Sequence, residues 1–291
     1  MPGGVGMSLD QLQRFLLDGL DIRGAVVRLG PVWQQVIADR DYPFPATELL
    51  GEMSATALLI SESLKQPGRI TFQLKGNGPI SLLVVDCDER LNLRAMAQTE
   101  PAMEPAPAPQ LLGDGQLILS LDMPSMRQPW QSVVPLEGER IATMFEHYLS
   151  LSDQLPSRLF LAATPTGAAG LLLQKLPQAD ARDPDGWNRV EQLASTITPQ
   201  ELIEVPAQEL LTRLFPEETV RVFEPRRVIH DAPEDWTKVR NMLRSLGREE
   251  VESVLSEQGE VVIRDDLANR EYRLDAAAVA ALFDESPPTL H

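Results

Sequence analysis

The pattern of apolar residues changes near Pro177, and this change limits the fold more than any other feature of the sequence. Before it, short alternating segments typical of strands, such as Ile22–Leu29, occur between helical segments. After it, residues 187–215 follow a helical period that is broken at Pro199 and Pro206. The sequence therefore predicts a chain of several parts with different architectures.

Three segments follow from this change of pattern. We expect a core α/β domain at 1–177, with a mixed sheet and crossing helices, and a helical linker at 178–219. The remaining segment, 220–291, contains helical patterns around a hairpin at 260–274, which predicts a small C-terminal α+β domain. The fold class expected for the whole chain is α+β.

Acidic residues dominate the charge of the chain. Asp and Glu number 43 against 26 Lys and Arg, which gives a formal charge of −17 at pH 7. Such a surface repels phosphate backbones, so we expect no nucleic-acid partner. The longest nearly unbroken apolar run, 276–283, is far shorter than the roughly 18 residues of a membrane span. The first residues lack the pattern of a signal peptide, so we expect a cytoplasmic protein with no membrane partner.

Few residues of the chain could carry catalysis. It has three histidines and one cysteine, Cys87, which lies between Asp86 and Asp88. Neighbouring carboxylates should raise the pKa of this thiol and make it a poor nucleophile. Glu48 and Glu52 lie four residues apart on a predicted helix that begins after Thr47. They could form an acid–base pair or a solvated first turn, and the pattern favours the second. The sequence predicts no enzyme and no cofactor.

Two glycine-rich segments, 76–78 and 113–115, resemble phosphate-binding loops only superficially. Neither has the pattern G-x-x-x-x-G-K-[ST], and each lies between predicted strands. Both are therefore interpreted as hairpin turns.

A family resemblance is carried by eight segments in chain order: 12–16, 23–24, 48–52, 70–79, 134–138, 148–160, 168–174 and 205–215. The most specific motifs are Gly-Asn-Gly-Pro at 76–79 and Gln-Leu-Pro at 154–156. Together these segments resemble the 33-kDa heat-shock protein family, whose members are redox-regulated holdase chaperones. The resemblance covers nearly the whole chain.

The resemblance implies a core domain, a linker that can unfold and a small zinc domain. In the family, a C-x-C pair and a C-x-x-C pair hold the zinc as thiolates, and their oxidation to disulfides ejects the metal. The four positions fall on Ala232, Glu234, Asp265 and Ala268, so all four thiols are absent here. Carboxylates near these positions leave an oxygen-rich metal site open as an alternative, but the two alanines favour no metal.

Apolar residues of the C-terminal segment predict a conventional small core in place of the zinc. Trp236, Leu243, Val254 and Leu267 form what we call the candidate clamp, because in this family the C-terminal domain holds the linker closed. The alternative is a marginal domain that melts on warming, which would turn a redox switch into a thermal one.

The function that the resemblance implies is that of an ATP-independent holdase, which binds unfolded or partly unfolded client proteins and prevents their aggregation. Without the zinc and thiol switch, its activity would be thermally activated or constitutive. A dedicated protein-binding or regulatory module and an enzyme of unrecognised type are the alternatives, and a homodimer is left open. The candidate client contacts are apolar linker residues that should pack on the core at rest: Trp187, Leu193, Ile197, Leu202, Ile203, Leu210, Leu211 and Leu214.

Overall fold

The structure is a computed structural model that describes residues 9–64, 66–152 and 154–284. The chain divides between Asp231 and Ala232 into two compact units, here called the first unit and the C-terminal unit. Among the described residues, no helix is both long and apolar enough to cross a membrane.

The first unit alternates strands and helices up to β9 and then becomes mainly helical. Its strands are β1 (Gln11–Leu17), β2 (Ile22–Leu29), β3 (Arg69–Lys75), β4 (Ile80–Cys87), β5 (Leu93–Thr99), β6 (Gln116–Asp122), β7 (Trp130–Val134), β8 (Ser157–Thr164), β9 (Gly167–Lys175), β10 (Val220–Val222) and β11 (Arg226–Arg227). Its helices are α1 (Pro31–Ile37), α2 (Phe44–Ser63), α3 (Ala108–Leu112), α4 (Ile141–Ser152), α5 (Ala179–Arg182), α6 (Gly186–Ala194), α7 (Pro199–Glu204) and α8 (Ala207–Leu214).

The strands of the first unit form two antiparallel sheets. The first has the order β10-β1-β2-β9-β8, with β11 also pairing with β1, and the second has the order β5-β4-β3-β6-β7. The predicted α+β class is confirmed, but the described strand pairs are antiparallel rather than mixed. The reason is local: several consecutive strands are joined by short turns, such as Pro165-Thr166 between β8 and β9, and such turns reverse the chain.

Helix α2 contacts strands of both sheets and forms the centre of the first unit. The sequence predicts one apolar face on this helix, whereas 14 of its 20 residues are buried. A helix that is buried all round needs small and apolar residues on every side, and the Ser-Ala-Thr-Ala segment 54–57 supplies the small ones. Ser54 satisfies its buried hydroxyl by donating to the carbonyl oxygen of Leu50, at 2.7 Å.

The start of α2 differs from the predicted one. The helix begins at Phe44 and has Pro45 in its first turn, where the backbone nitrogen makes no hydrogen bond within the helix and proline is therefore tolerated. Thr47 is thus a buried helical residue and not a cap. As a result Glu48 and Glu52 do not lie in a solvated first turn. Burial, reinforced by the charge of Glu48, raises the pKa of Glu52 to about 7, while Arg140 acts in the opposite direction.

The boundary of the C-terminal domain also lies later than the predicted residue 220. Strands β10 and β11 both pair with β1, with Phe15 opposite Val222 and Leu12 opposite Arg226. Residues 220–231 therefore complete the first sheet and belong to the first unit. Strands of two or three residues are too short to show an alternating pattern, which explains the difference.

The C-terminal unit is a hairpin with three helices. Its elements are α9 (Trp236–Leu246), α10 (Arg248–Gln258), β12 (Val261–Asp265), β13 (Arg270–Leu274) and α11 (Ala276–Asp284). Asp235 caps α9 by accepting a hydrogen bond from the backbone nitrogen of Lys238, at 2.8 Å. Gly259 ends α10 in the left-handed region, at φ 80°, where glycine carries no steric penalty. These elements enclose a core of eight buried residues: Val239, Leu243, Val251, Val261, Tyr272, Leu274, Val279 and Leu282.

Candidate functional site

The linker consists of short helices whose ends are fixed by the sequence. Thr198 and Glu201 form a reciprocal capping box at the start of α7, and Pro199 occupies its first turn. The chain leaves the helical conformation at Val205, and Pro206 precedes α8. Helices of six to nine residues are marginal in water on their own, so α6, α7 and α8 depend on packing against the sheet.

The predicted client contacts all lie in one apolar cluster between the linker and the first sheet. Trp187, Leu202, Leu210, Leu211 and Leu214 are buried there. The other three, Leu193, Ile197 and Ile203, are partly buried against the same cluster. Their partners on the sheet include Phe15, Leu17, Val26, Leu171 and Leu173. The linker in this structure is therefore docked, and its apolar residues are covered.

Sequence reasoning missed three further residues of this cluster. Val190, Ala194 and Phe215 are each at most 1% exposed. Val190 and Ala194 follow Trp187 at helical spacing, so the pattern could have identified them. Phe215 lies just beyond α8, and its ring centroid is 6.4 Å from that of Phe15.

A buried arginine on β2 holds the linker at the end of α7. Arg28 is only 3% exposed. Its Nε and Nη2 donate to the carbonyl oxygen of Ile203 at 3.0 and 2.8 Å, and Nη2 also donates to the carbonyl oxygen of Glu204 at 2.8 Å. Burial lowers the pKa of Arg28, and no described carboxylate forms an ion pair with it. The guanidinium is thus satisfied by linker carbonyls, which makes it a polar latch under an apolar helix.

The four positions that the family resemblance assigns to zinc ligands do not fit a metal in this chain. Ala232 and Ala268 offer no ligand atom and are buried. Glu234 accepts a hydrogen bond from Trp236 Nε1 at 2.8 Å. Asp265 pairs with Lys238 Nζ at 2.9 Å and accepts from the backbone nitrogen of Ala268 at 3.0 Å. Within 9–64, 66–152 and 154–284, no three His, Cys, Asp or Glu side chains lie where they could hold a metal ion together.

Hydrogen bonds and an ion pair, rather than a metal, connect the segment before α9 to the hairpin. Arg270 on β13 donates through Nε to the carbonyl oxygen of Ala232, and its Nη1 lies 3.8 Å from Glu234 Oε1. The Tyr272 hydroxyl accepts from the backbone nitrogen of Asp235 at 2.9 Å. The segment before α9 is thereby tied to the hairpin by a guanidinium and a phenol.

The candidate clamp residues differ in burial. Leu243 is 1% exposed and central to the core of the C-terminal unit. Trp236 is half-buried, with its ring edge-to-face on Tyr272 at 5.0 Å, and Val254 packs at the edge of the core. Leu267 is half-buried and outside the core cluster. Trp236 therefore lies at the edge of the core and is only partly covered.

Cys87 lies at the end of β4 and is fully buried. Its Sγ is 3.9 Å from the Ser61 hydroxyl oxygen. Burial raises the pKa of Cys87 to about 12, with smaller contributions from Asp88 and Asp86. The predicted direction is confirmed, but desolvation rather than the neighbouring acids is the main cause.

Known proteins share both the sequence and the fold of this chain. The profile of the family described as Hsp33 protein matches residues 10–275. The chain is 42% identical over 278 residues to the 33 kDa chaperonin of Chromobacterium violaceum, covering 94% of each protein. It is 38% identical over 279 residues to the 33 kDa chaperonin of Neisseria meningitidis, covering 95% of this chain and 92% of that protein.

A crystal structure gives independent support for the fold. The 33 kDa chaperonin of Thermotoga maritima has a TM-score of 0.80 at 21% identity, over 94% of this chain and 97% of that one. The resemblance predicted from the eight sequence segments is confirmed. The chain belongs to the Hsp33 family.

Proposed function

We propose that this protein is an ATP-independent holdase chaperone, which binds unfolded or partly unfolded clients through apolar surface of the linker and the first sheet. Relatives named 33 kDa chaperonins support the chaperone class. The observation that carries the proposal is the docked linker, because releasing α6–α8 would uncover one continuous apolar cluster. Exposed apolar surface of that kind is typical of protein-binding sites.

Independence from nucleotide is supported by two glycine turns. The turn at 76–78 joins β3 to β4 as predicted, whereas the turn at 113–115 joins α3 to β6 and is not the predicted hairpin. The backbone nitrogen of Gly78 donates to the carbonyl oxygen of Leu112 at 3.3 Å, and the backbone nitrogen of Asp114 donates to Asn77 Oδ1 at 2.8 Å. A Cβ atom on Gly76 would lie 2.1 Å from the carbonyl oxygen of Leu112. The glycines allow the two turns to pack against each other, which accounts for them without a phosphate ligand.

A client panel tests the proposal. Light scattering would follow several unrelated proteins as they unfold by heat, with and without this protein and without nucleotide. Suppressed aggregation of most clients supports a general holdase. Suppression for one client only would favour the alternative, a dedicated protein-binding or regulatory module on the same fold. Size-exclusion chromatography with light scattering would show whether the active form is a homodimer.

Metal removal should leave the protein unchanged. Because the zinc-ligand positions hold two alanines and two carboxylates with protein partners, we expect no stoichiometric zinc by elemental analysis. We also expect EDTA to leave the thermal transition of the C-terminal unit unmoved. One tightly bound zinc per chain, or a lower transition temperature in EDTA, would contradict this prediction.

Replacing the single cysteine should have little effect on redox behaviour. A thiol that is fully buried and has a pKa of about 12 remains protonated at pH 7 and reacts slowly with peroxide. We therefore expect Cys87→Ser to suppress client aggregation as the parent does, before and after peroxide treatment. A peroxide response that is present in the parent and absent from Cys87→Ser would restore a thiol switch.

A further inference from the structure

A cavity of about 250 Å³ opens in the first unit between the first sheet and the C-terminal half of α2. It is bounded by residues of β1, β2 and β9 and by the chain just after β10. Gly24 allows the Phe15 ring to lie close to β2, because a Cβ atom on Gly24 would lie 2.3 Å from that ring. Its walls are mainly apolar, formed by Phe15, Leu16, Leu59, Leu172, Leu176 and Phe223.

The rim of this cavity has more positively than negatively charged side chains. Glu62 forms ion pairs with Arg14 at 3.0 Å and with Arg226 at 2.5 Å, so its charge is more than offset. Arg23 donates from Nε to Gln174 Oε1 at 2.9 Å, and none of the described carboxylates forms an ion pair with its guanidinium. In a chain with a formal charge of −17, this rim is a local positive site.

We propose that this cavity binds an alkyl carboxylate of medium chain length, with the tail among the leucine and phenylalanine side chains and the carboxylate on Arg23. A planar guanidinium matches a planar carboxylate in two parallel hydrogen bonds. A phosphate dianion fits less well, because the rim offers one unpaired arginine and also carries Glu62. Apolar walls with a few convergent polar groups are the usual composition of a small-molecule site.

The test is isothermal titration of the full-length protein with decanoate, decan-1-ol and decylamine below their micelle concentrations. We expect one decanoate per chain, weaker binding of the alcohol and the weakest binding of the amine. Arg23→Gln should weaken decanoate binding about tenfold or more, because it removes the charge-assisted hydrogen bonds, and should leave the alcohol unchanged. The exposed Arg182 serves as a matched control, and Arg182→Gln should bind all three ligands as the parent does.

A second variant separates this cavity from other apolar surfaces. Leu176 is half-buried in the cavity wall, so Leu176→Trp should fill the space and abolish binding of both decanoate and the alcohol. The proposal fails if the parent shows no saturable binding, if Arg23→Gln binds decanoate as tightly as the parent, or if Leu176→Trp still binds it. Each readout is direct ligand binding and does not depend on chaperone activity.

Discussion

Arg28→Met is expected to release the linker from the first sheet at temperatures where the parent remains closed. The substitution removes the three donor contacts to the carbonyl oxygens of Ile203 and Glu204, at a site that is only 3% exposed. Hydrogen bonds to a charged group contribute roughly 1.5–3 kcal/mol each, and the two carbonyls would lose the donors that hold them. Short helices such as α7 have little stability of their own to offset such a loss.

Limited proteolysis of residues 187–215 measures the open population directly. When opening and closing are fast, the cleavage rate follows this population, so a loss of about 3 kcal/mol should raise it roughly a hundredfold. Client light scattering at low temperature should fall in parallel, because the apolar cluster becomes accessible. Arg28→Lys should lie between the parent and Arg28→Met, since it keeps the charge but loses the planar fork.

Arg182→Met provides the matched control, because Arg182 is an exposed arginine on α5 of the same linker. It should leave both the cleavage rate and client aggregation unchanged. The latch interpretation fails if Arg28→Met and Arg182→Met are cleaved at the same rate. If Arg28→Met opens the linker yet clients aggregate as before, the latch stands and the proposed client surface is wrong.

On the proposal that the C-terminal unit holds the linker closed, Leu243→Ala is expected to melt that unit and so to activate the protein. Leu243 is 1% exposed in the core of that unit, and truncating a buried leucine costs about 2–5 kcal/mol. That cost is comparable to the whole stability of a unit this small. Because Trp236 is half-buried, Trp236→Ala should act in the same direction with a smaller shift.

Two measurements on the same sample test this prediction. Hydrogen–deuterium exchange of residues 236–284 during heating reports the melting of the C-terminal unit, and proteolysis at 187–215 reports the linker. Leu246→Ala is the control, because Leu246 lies on the same helix and is 56% exposed. If the unit melts early and the linker stays protected, the candidate clamp does not act on the linker. If the linker opens and client aggregation is unchanged or worse, the holdase proposal fails instead.

Elements with a local signal could be predicted from the sequence. The alternation of β2 and the capping residues of α7 depend on neighbours within one segment, and both elements lie where the pattern indicates. The start of α2 was missed because prolines at 43 and 45 usually break regular structure, yet in a first turn they are compatible with a helix. Strands β10 and β11 exist only through pairing with a distant strand, so no local pattern marks them.

In the candidate site too, residues with a local signal could be predicted from the sequence and residues with distant partners could not. Helical spacing identified the apolar residues of the linker, because the apolar face of an amphipathic helix packs against another part of the protein. The same reasoning could not find Arg28, since an isolated arginine in a strand is usually exposed and its partners are main-chain carbonyls of a segment far away in the sequence. The partial burial of Trp236 could not be predicted for a related reason: helical spacing gives the direction of a side chain but not how much of it a neighbour covers.

The pairing of β1 with β10 and β11 has a consequence for how the protein is made. These strands lie roughly two hundred residues apart, so the long-range pairing that completes the first sheet must form late. At about 5–20 residues per second, a ribosome needs on the order of 10 to 40 s to reach β11 after β1 has been synthesised. During that interval one edge of β1 has no partner, and an open strand edge favours aggregation. A newly synthesised copy of this protein would then be prone to aggregation, like the clients proposed for it. Folded copies nearby could bind it and prevent that aggregation.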